Sequence, residues 1–428
     1  MLMIDKYIFK YKSQDDGAVL PIVALMLPVI LGMTALGVDT GYWLMHQRDL
    51  QSAADAAAMA AAYEYANGFS ENMDFAATKE ATQNGFDVTD GDVLTLTTDE
   101  TGDNPIISVT ISFEDDAWFS RRFISSHSAQ VSAAALVGSS SGNYCMLSLN
   151  EEDDGALSAS GSVTINATQC GMATNSDSDD AMEFTGSVEV NVASLRMRGG
   201  YRETGSVELN VSDIQTHAGK IKDPYEDLDI PIAGSCSKND MKNNTKITGS
   251  GSTTLSPGTY CGGIEISGSG AVNFEPGVYI LDGGDFDLSG SGQITGDGVS
   301  FILTNSGEGD YGNIDITGSN EINFSAPEEG EEMEGVVFYQ DRNAPAANGS
   351  SGENKITGSN QIILDGTVYT PSRELRMGGS SSAMSENTAP CTRLIADTIT
   401  LSGSPAIGNN CDDSAAKNIG TPNVRLYY

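Results

Sequence analysis

Apolar positions fall into three regimes along this chain. Residues Ala18 to Val38 form one uncharged run, GAVLPIVALMLPVILGMTALGV from Gly17 onward. At ~1.5 Å per residue it reaches ~31 Å, enough to cross a bilayer's hydrocarbon core. An Ala-rich segment follows without a turn signal, up to Asn67-Gly68. Ala is the strongest helix former and Asn-Gly is a common helix stop, so the pattern predicts one long helix over both segments. Pro21 and Pro28 lie in the apolar half, where a mild kink is expected.

The second regime, residues 71–137, mixes periods. Asn72 to Asn84 reads as a helix closed by Asn84-Gly85. Asp92 to Thr98, Ile106 to Phe113 and Gln130 to Val137 alternate as strands, with Ile107, Val109, Ile111 and Phe113 on one face. Ala117 to Ile124 is expected to be a short helix, its Trp118-Phe119 pair buried in the core.

In the third regime, from Tyr144 onward, the chain repeats itself. A hydrophobic or Thr/Ser pair followed by Gly-Ser recurs as SASGSVTI, EFTGSVEV, RETGSVEL, KITGSGST, EISGSGAV, DLSGSGQI, DITGSNEI, KITGSNQI and TLSGSPAI. The motif glycines, from Gly161 to Gly403, are 25, 19, 44, 19, 22, 28, 40 and 45 residues apart. The longer gaps are about twice the shorter ones, as if a unit between had lost its signature. Short strands with Gly corners at a ~20-residue period predict a solenoid whose units share a core by stacking. The expectation is a parallel β-helix over 144–428, with about 13 coils rising ~4.8 Å each. A β-sandwich is the alternative, but its strands have no reason to share one corner motif.

The fold class expected is therefore mostly β with an N-terminal membrane helix. Its parts are a segment 1–17, a span 18–38, a helix extension and small α+β pilin-like domain 39–138, a linker 139–143, and the repeat domain. Lys6, Lys10 and Lys12 precede the span and the next basic residue is Arg48, which places residues 1–17 in the cytoplasm and the bulk outside. A cleaved signal peptide ending near Ala35-Leu36-Gly37 is the rival, but the apolar run exceeds the usual 7–15 residues.

Charge narrows the partners. A net charge of −37 excludes a nucleic-acid partner, which needs clustered Lys and Arg, and disfavours lying on an anionic membrane face. Gly37 and Gly41, with Ala53, Ala54, Ala57, Ala58 and Ala61, make a small-residue helix surface suited to close packing. It can meet the chain's own domain or a partner helix.

Arg48-Asp-Leu-Gln51-Ser-Ala-Ala-Asp-Ala-Ala-Ala58, with Gly17, Val19, Ala24, Leu27-Pro28, Gly37, Asp39 and Gly41, resembles the TadE/TadG-like proteins of tight-adherence (Flp) pilus assembly. The resemblance covers only the first sixth of the chain. It implies a structural accessory protein, single-pass in the bacterial cytoplasmic membrane, whose partners are inner-membrane pilus-assembly proteins with similar helices. It supplies no catalytic residue. Ile22 stands where a prepilin processing site carries Glu, and the D-x-S-x-S of a von Willebrand A domain is absent.

The six cysteines lie only in the repeat region. Cys145 and Cys170, Cys236 and Cys261, and Cys391 and Cys411 are 25, 25 and 20 residues apart, about one coil each. Stacking at ~4.8 Å falls within disulfide reach, so sequential pairing is expected, in an oxidising compartment. No C-x-x-C supports zinc, and His46, His127 and His217 are scattered. No cofactor, metal or catalytic site is expected. Asn175–Asp180 (NSDSDD) spaces oxygens as calcium loops do but has neither the Gly nor the closing Glu. Asp285 and Asp287 could be a chance carboxylate pair. Arg196, Arg198 and Arg376 are expected to balance Glu203 and Glu374, with the two Arg-bearing segments ~40 Å apart along the solenoid. A membrane-tethered polysaccharide-active β-helix and a pilus-independent adhesin are the other functions weighed. The ligand of the repeat domain is not specified by the residues.

Overall fold

A computed structural model describes residues 19–66, 69–87, 92–101, 104–237, 239–240, 243–307, 310–346, 352–358, 361–379, 390–403, 411 and 414–427. The expected segment 1–17, its lysines and the Asn67-Gly68 stop lie outside these residues. The chain divides into two compact units, residues 1–139 with 422–428, and residues 140–421.

The first unit is built on α1 (Val19–Ala66), one unbroken helix of 48 residues. Its N-terminal half is apolar enough and long enough to cross a membrane, and no residue of that window is buried. Pro28 lies inside the helix. Further along, Leu50, Ala53, Ala54, Ala57, Ala58, Ala61 and Ala62 are fully buried. They pack on Met73, Ala77 and Ala81 of α2 (Met73–Gln83), and on the sheet residues Ile107, Val109, Ile111 and Phe113. Small side chains let α1 approach α2 and the sheet closely, so the Ala face serves the chain's own core. α2 ends at Asn84, and Gly85 adopts φ +104°, the left-handed turn that glycine permits.

The sheet of this unit is antiparallel: β1 (Val93–Asp99) pairs with β2 (Ile106–Asp116), and β2 with β3 (Ser126–Ser148). Strand β3 runs through the segment expected as a linker at 139–143. Residues 117–124 are not helical but form a turn-rich loop.

The second unit is a large parallel sheet consistent with a solenoid. Its strands form three ladders, visited in rotation. Thr245–Ile247, Ile264–Ile266, Phe286–Leu288, Ile314–Ile316, Asn354–Ile356, Leu375–Met377 and Ile399–Leu401 stack in register on the first. Thr253–Leu255, Ala271–Phe274, Gln293–Gly296 and Glu321–Ser325 stack on the second. Gly258–Cys261, Gly277–Asp282, Val299–Thr304 and Val336–Gln340 stack on the third. Alternate side chains point inward; Phe274, Phe286, Phe301, Phe324 and Phe338 meet there with ring centroids 4.5–6.3 Å apart.

The order of stacking differs from the order of sequence. Leu394–Ala396 pairs with Met146–Ser148, and Ile399–Leu401 pairs with Leu157–Ala159. The chain thus enters the stack in its middle, climbs to Tyr201–Gln215, returns to the far end at 245, and climbs back to its entry point. Leu195–Met197 therefore stands four rungs from Val368–Thr370, the strand that leads into Arg376, about 19 Å along the stack rather than the expected 40 Å.

The return segment lies along the outer side of the third ladder. Ile221 and Tyr225 are buried against Leu147, Ala173, Ile302, Tyr339, Tyr369 and Ile395. This explains why Val299–Thr304, Val336–Gln340 and Thr392–Ala396 are buried at every position: both of their faces are covered.

Candidate functional site

Three disulfides join Cys145 to Cys170, Cys236 to Cys261 and Cys391 to Cys411, with Cα separations of 5.6, 5.7 and 4.6 Å. Cys236 is not in a stacked strand. It lies at the far end of the return segment, whose Gly234 N–H also donates to the Thr259 hydroxyl at 2.8 Å. That disulfide fixes the segment to the end of the stack.

The Gly-Ser motif forms a column at one corner of the sheet. A Cβ on Gly268, Gly290, Gly379 or Gly403 would meet the carbonyl oxygen of the motif glycine one rung away at well under 3.0 Å. Glycine is required there by contact between rungs. The serines beside Gly249, Gly268, Gly290 and Gly318 line a polar surface groove together with those glycines. It carries hydroxyls and backbone, and none of its lining residues is ionisable.

Just outside the corner, stacked outward positions hold Lys246, Glu265, Asp287, Asp315, Lys355 and Arg376. Lys246 pairs with Glu265, and Arg376 with Glu374 at 3.2 Å and Glu353 at 3.7 Å. Asp287 sits between Glu265 and Asp315; burial first, then these two charges, push its carboxyl above the ordinary range. Asp285 instead accepts the Asn313 N–H at 2.7 Å, so Asp285 and Asp287 have separate surroundings.

Arg196 donates to Gln215 and to Gly219 O, while Arg198 pairs with Asp177 at 3.4 Å and Glu151 at 3.6 Å. Glu203 is not its partner; Arg202 instead pairs with Asp180 and Glu183. The oxygens of Asn175–Asp180 are engaged within the protein: Asn175 exchanges hydrogen bonds with the Ile221 backbone at 2.8 and 2.9 Å, and the Ser176 hydroxyl donates to Asp153 O. Among the described residues no group of three or more His, Cys, Asp or Glu is placed to hold a metal ion.

The arrangement that bears most directly on membrane attachment surrounds Asp39. This residue ends the apolar run of α1 and is only 3% exposed. Its carboxylate accepts the N–H groups of Trp118, Phe119 and Ser120 at 2.6–3.3 Å, and the Ser120 hydroxyl at 2.6 Å. Burial opposes its charged form, but the Ser120 hydroxyl and these amides outweigh it and hold the carboxyl below its ordinary range. The carboxylate ties the start of the 117–124 loop to α1, and a single turn follows in which the Phe123 and Ile124 N–H groups both donate to Ser120 O. Trp118 and Phe119, expected in the core, are 70% and 65% exposed. Trp118 rests on Tyr42 with centroids 5.5 Å apart, and His46 holds Asp115 at 2.8 Å one turn further along α1.

Gly37 and Gly41 have no heavy atom within 4 Å of a hypothetical Cβ, so that edge of α1 is open, unlike the alanines above it. In the sequence Asp39 stands out only as one residue of the TadE/TadG-like resemblance. An acidic residue directly after twenty apolar ones was the available signal that it must be satisfied by the protein itself.

Residues 17–64 match the family model of putative Flp pilus-assembly TadE/G-like proteins. The match ends within α1, so the sheet of the first unit and all of the second fall outside it. No curated protein and no solved structure matches the chain.

Proposed function

We propose that this protein is a membrane-anchored structural component of Flp-type pilus assembly, in which a parallel β-helix is held outside the cytoplasmic membrane. The observation that carries the reading is the division of labour along α1. The segment resembling TadE/G-like proteins is bare and apolar over the half that suits lipid, and packed through alanines over the half that founds a folded domain. A continuous helix of this kind transmits position from bilayer to domain without a hinge.

The repeat domain acts as a spacer or contact surface and not as an enzyme. Its corner groove presents serine hydroxyls and glycine backbone, which suit weak, extended contact with another polymer or protein. The open Gly37–Gly41 edge of α1 is where related anchors would approach in the membrane.

Detergent extraction of the full-length protein followed by affinity purification tests this role. Pilus-assembly membrane proteins should co-purify, and enlarging Gly37 and Gly41 together to Leu should release them. Deletion should reduce surface pili. A deletion strain with normal pili, or release of oligosaccharide from acidic or neutral glycans by the purified protein, refutes the role.

A further inference from the structure

The loop at 117–124 leaves a cluster of large side chains without protein cover. Phe123 is 73% exposed, and Trp118, Phe119 and Ile124 are exposed beside it. Between them stand Arg121 and Arg122, both exposed and without an ion-pair partner among the described residues. Of the carboxylates just before the loop, Asp115 is turned to His46 and Glu114 to Ser126, while Asp116 faces solvent.

The position of the cluster decides what can cover it. Phe123 lies over the apolar half of α1, in a cleft with Pro28, Val29, Gly32, Met33 and Leu36. A Cβ on Gly32 would be 3.9 Å from its ring. Gly32 is seven residues before Asp39, about 10 Å down the helix axis. The loop is thus tied at its start to the end of the apolar run and reaches back alongside it. Its aromatic surface is continuous with the surface that suits lipid.

We propose that residues 118–124 are a second membrane contact: an aromatic wedge inserted into the bilayer leaflet beside α1, with Arg121 and Arg122 taking anionic lipid headgroups. This rests on the reading of α1 as a membrane anchor. Trp and Tyr favour the headgroup level, which fits Trp118 resting at a tilt against Tyr42 at the span's edge. The arginine stems lie along apolar surface while their guanidinium groups meet phosphate. The chain's net charge of −37 opposes a general approach to an anionic surface, so attraction has to be local, as the adjacent Arg121 and Arg122 make it here. The wedge also stops α1 from rotating about its axis, which a lone helix cannot do for itself. Asp39 is the positioning residue.

The test uses full-length protein reconstituted in phosphatidylcholine vesicles, with and without phosphatidylglycerol. All six cysteines are disulfide-bonded, so a single added thiol can carry a spin label. Labels at Phe123→Cys, at Leu31→Cys in the span and at Phe75→Cys on α2 are compared by collision with oxygen and with a water-soluble nickel chelate. Phe75 is 73% exposed and reports water. The label at position 123 should resemble that at 31, with oxygen favoured severalfold, and should sit deeper when phosphatidylglycerol is present. Arg121→Glu with Arg122→Glu should abolish the lipid dependence. Asp39→Ala should move the label at 123 toward water and leave the label at 31 unchanged. A water-like signal at 123 with a lipid-like one at 31 overturns the wedge alone; water-like signals at both overturn the anchor and the wedge with it.

Discussion

Gly251, Gly270 and Gly292 occupy one motif position on three successive rungs, yet their surroundings differ sharply. A Cβ on Gly270 would run into the Gly251 carbonyl, and one on Gly292 into the Gly270 carbonyl, each well under 3.0 Å. Gly251, at the end of the stack, has nothing within 4 Å. None of the three has a left-handed φ, so backbone strain does not enter. For Gly270→Ala, neighbouring rungs must part by on the order of 1 Å to restore ordinary contact. That movement weakens the bonds from Ser269 N and Gly270 N to Gly249 O, now 2.8 and 3.1 Å. Overpacking costs about 1–3 kcal/mol, and each weakened hydrogen bond up to about 1 kcal/mol. The sum is a loss of about 1–5 kcal/mol for Gly270→Ala or Gly292→Ala. Gly251→Ala should instead be neutral or gain about 0.4–1 kcal/mol, because alanine restricts the unfolded chain. Urea unfolding followed by far-ultraviolet circular dichroism on the full chain in detergent measures the difference. Equal midpoints for the three variants would refute the claim that contact between rungs selects glycine.

Three further outcomes follow from the structure. Replacing Cys145 and Cys170 by Ser opens a 25-residue loop and should cost about 3.5 kcal/mol by chain entropy, read as a lower urea midpoint under non-reducing conditions. Asp287→Asn should raise stability at neutral pH: burial, Asp315 and Glu265 hold the folded-state pKa above the unfolded one, so the native state loses stability as pH rises through it. The gain should vanish in acid below the unfolded carboxylate range; a gain independent of pH would point to another cause. Tyr225→Phe removes a buried hydroxyl that contacts the Thr367 hydroxyl and accepts Lys417 N–H, each at 2.9 Å. The orphaned amide should cost about 1–3 kcal/mol, with faster hydrogen exchange at Lys417 as the direct readout.

Local pattern made much of the first unit legible. The alternation at Ile107 to Phe113 named the buried face of β2, and Asn84-Gly85 marked the end of α2, because both signals act within a few residues. The helix expected over 117–124 is a single turn instead, held against α1 by Asp39 some eighty residues earlier, a contact that no local pattern carries. In the second unit the Gly-Ser period exposed the rung, but a period carries no address. Nothing in KITGSGST says which rung lies beneath it, so stacking was read as sequential. The covered third ladder did leave a trace. Runs such as VSFILT and VVFYQ lack the alternation of one-sided strands, and a cover for them was therefore required. The Cys145–Cys170 interval was informative for the same reason as the glycines, because it measures one turn of chain; the equal Cys236–Cys261 interval does not, since Cys236 lies on the return segment.

A strand order that begins mid-stack has a cost while the chain is being made. When residues 144–215 have emerged and the rest has not, the edge of Leu157–Ala159 that faces away from Met182–Phe184 has no neighbour until Ile399–Leu401 arrives about 240 residues later. Throughout that interval an apolar-backed strand with one open edge is exposed to any other chain in the same state. Two half-made copies would be each other's most dangerous partner.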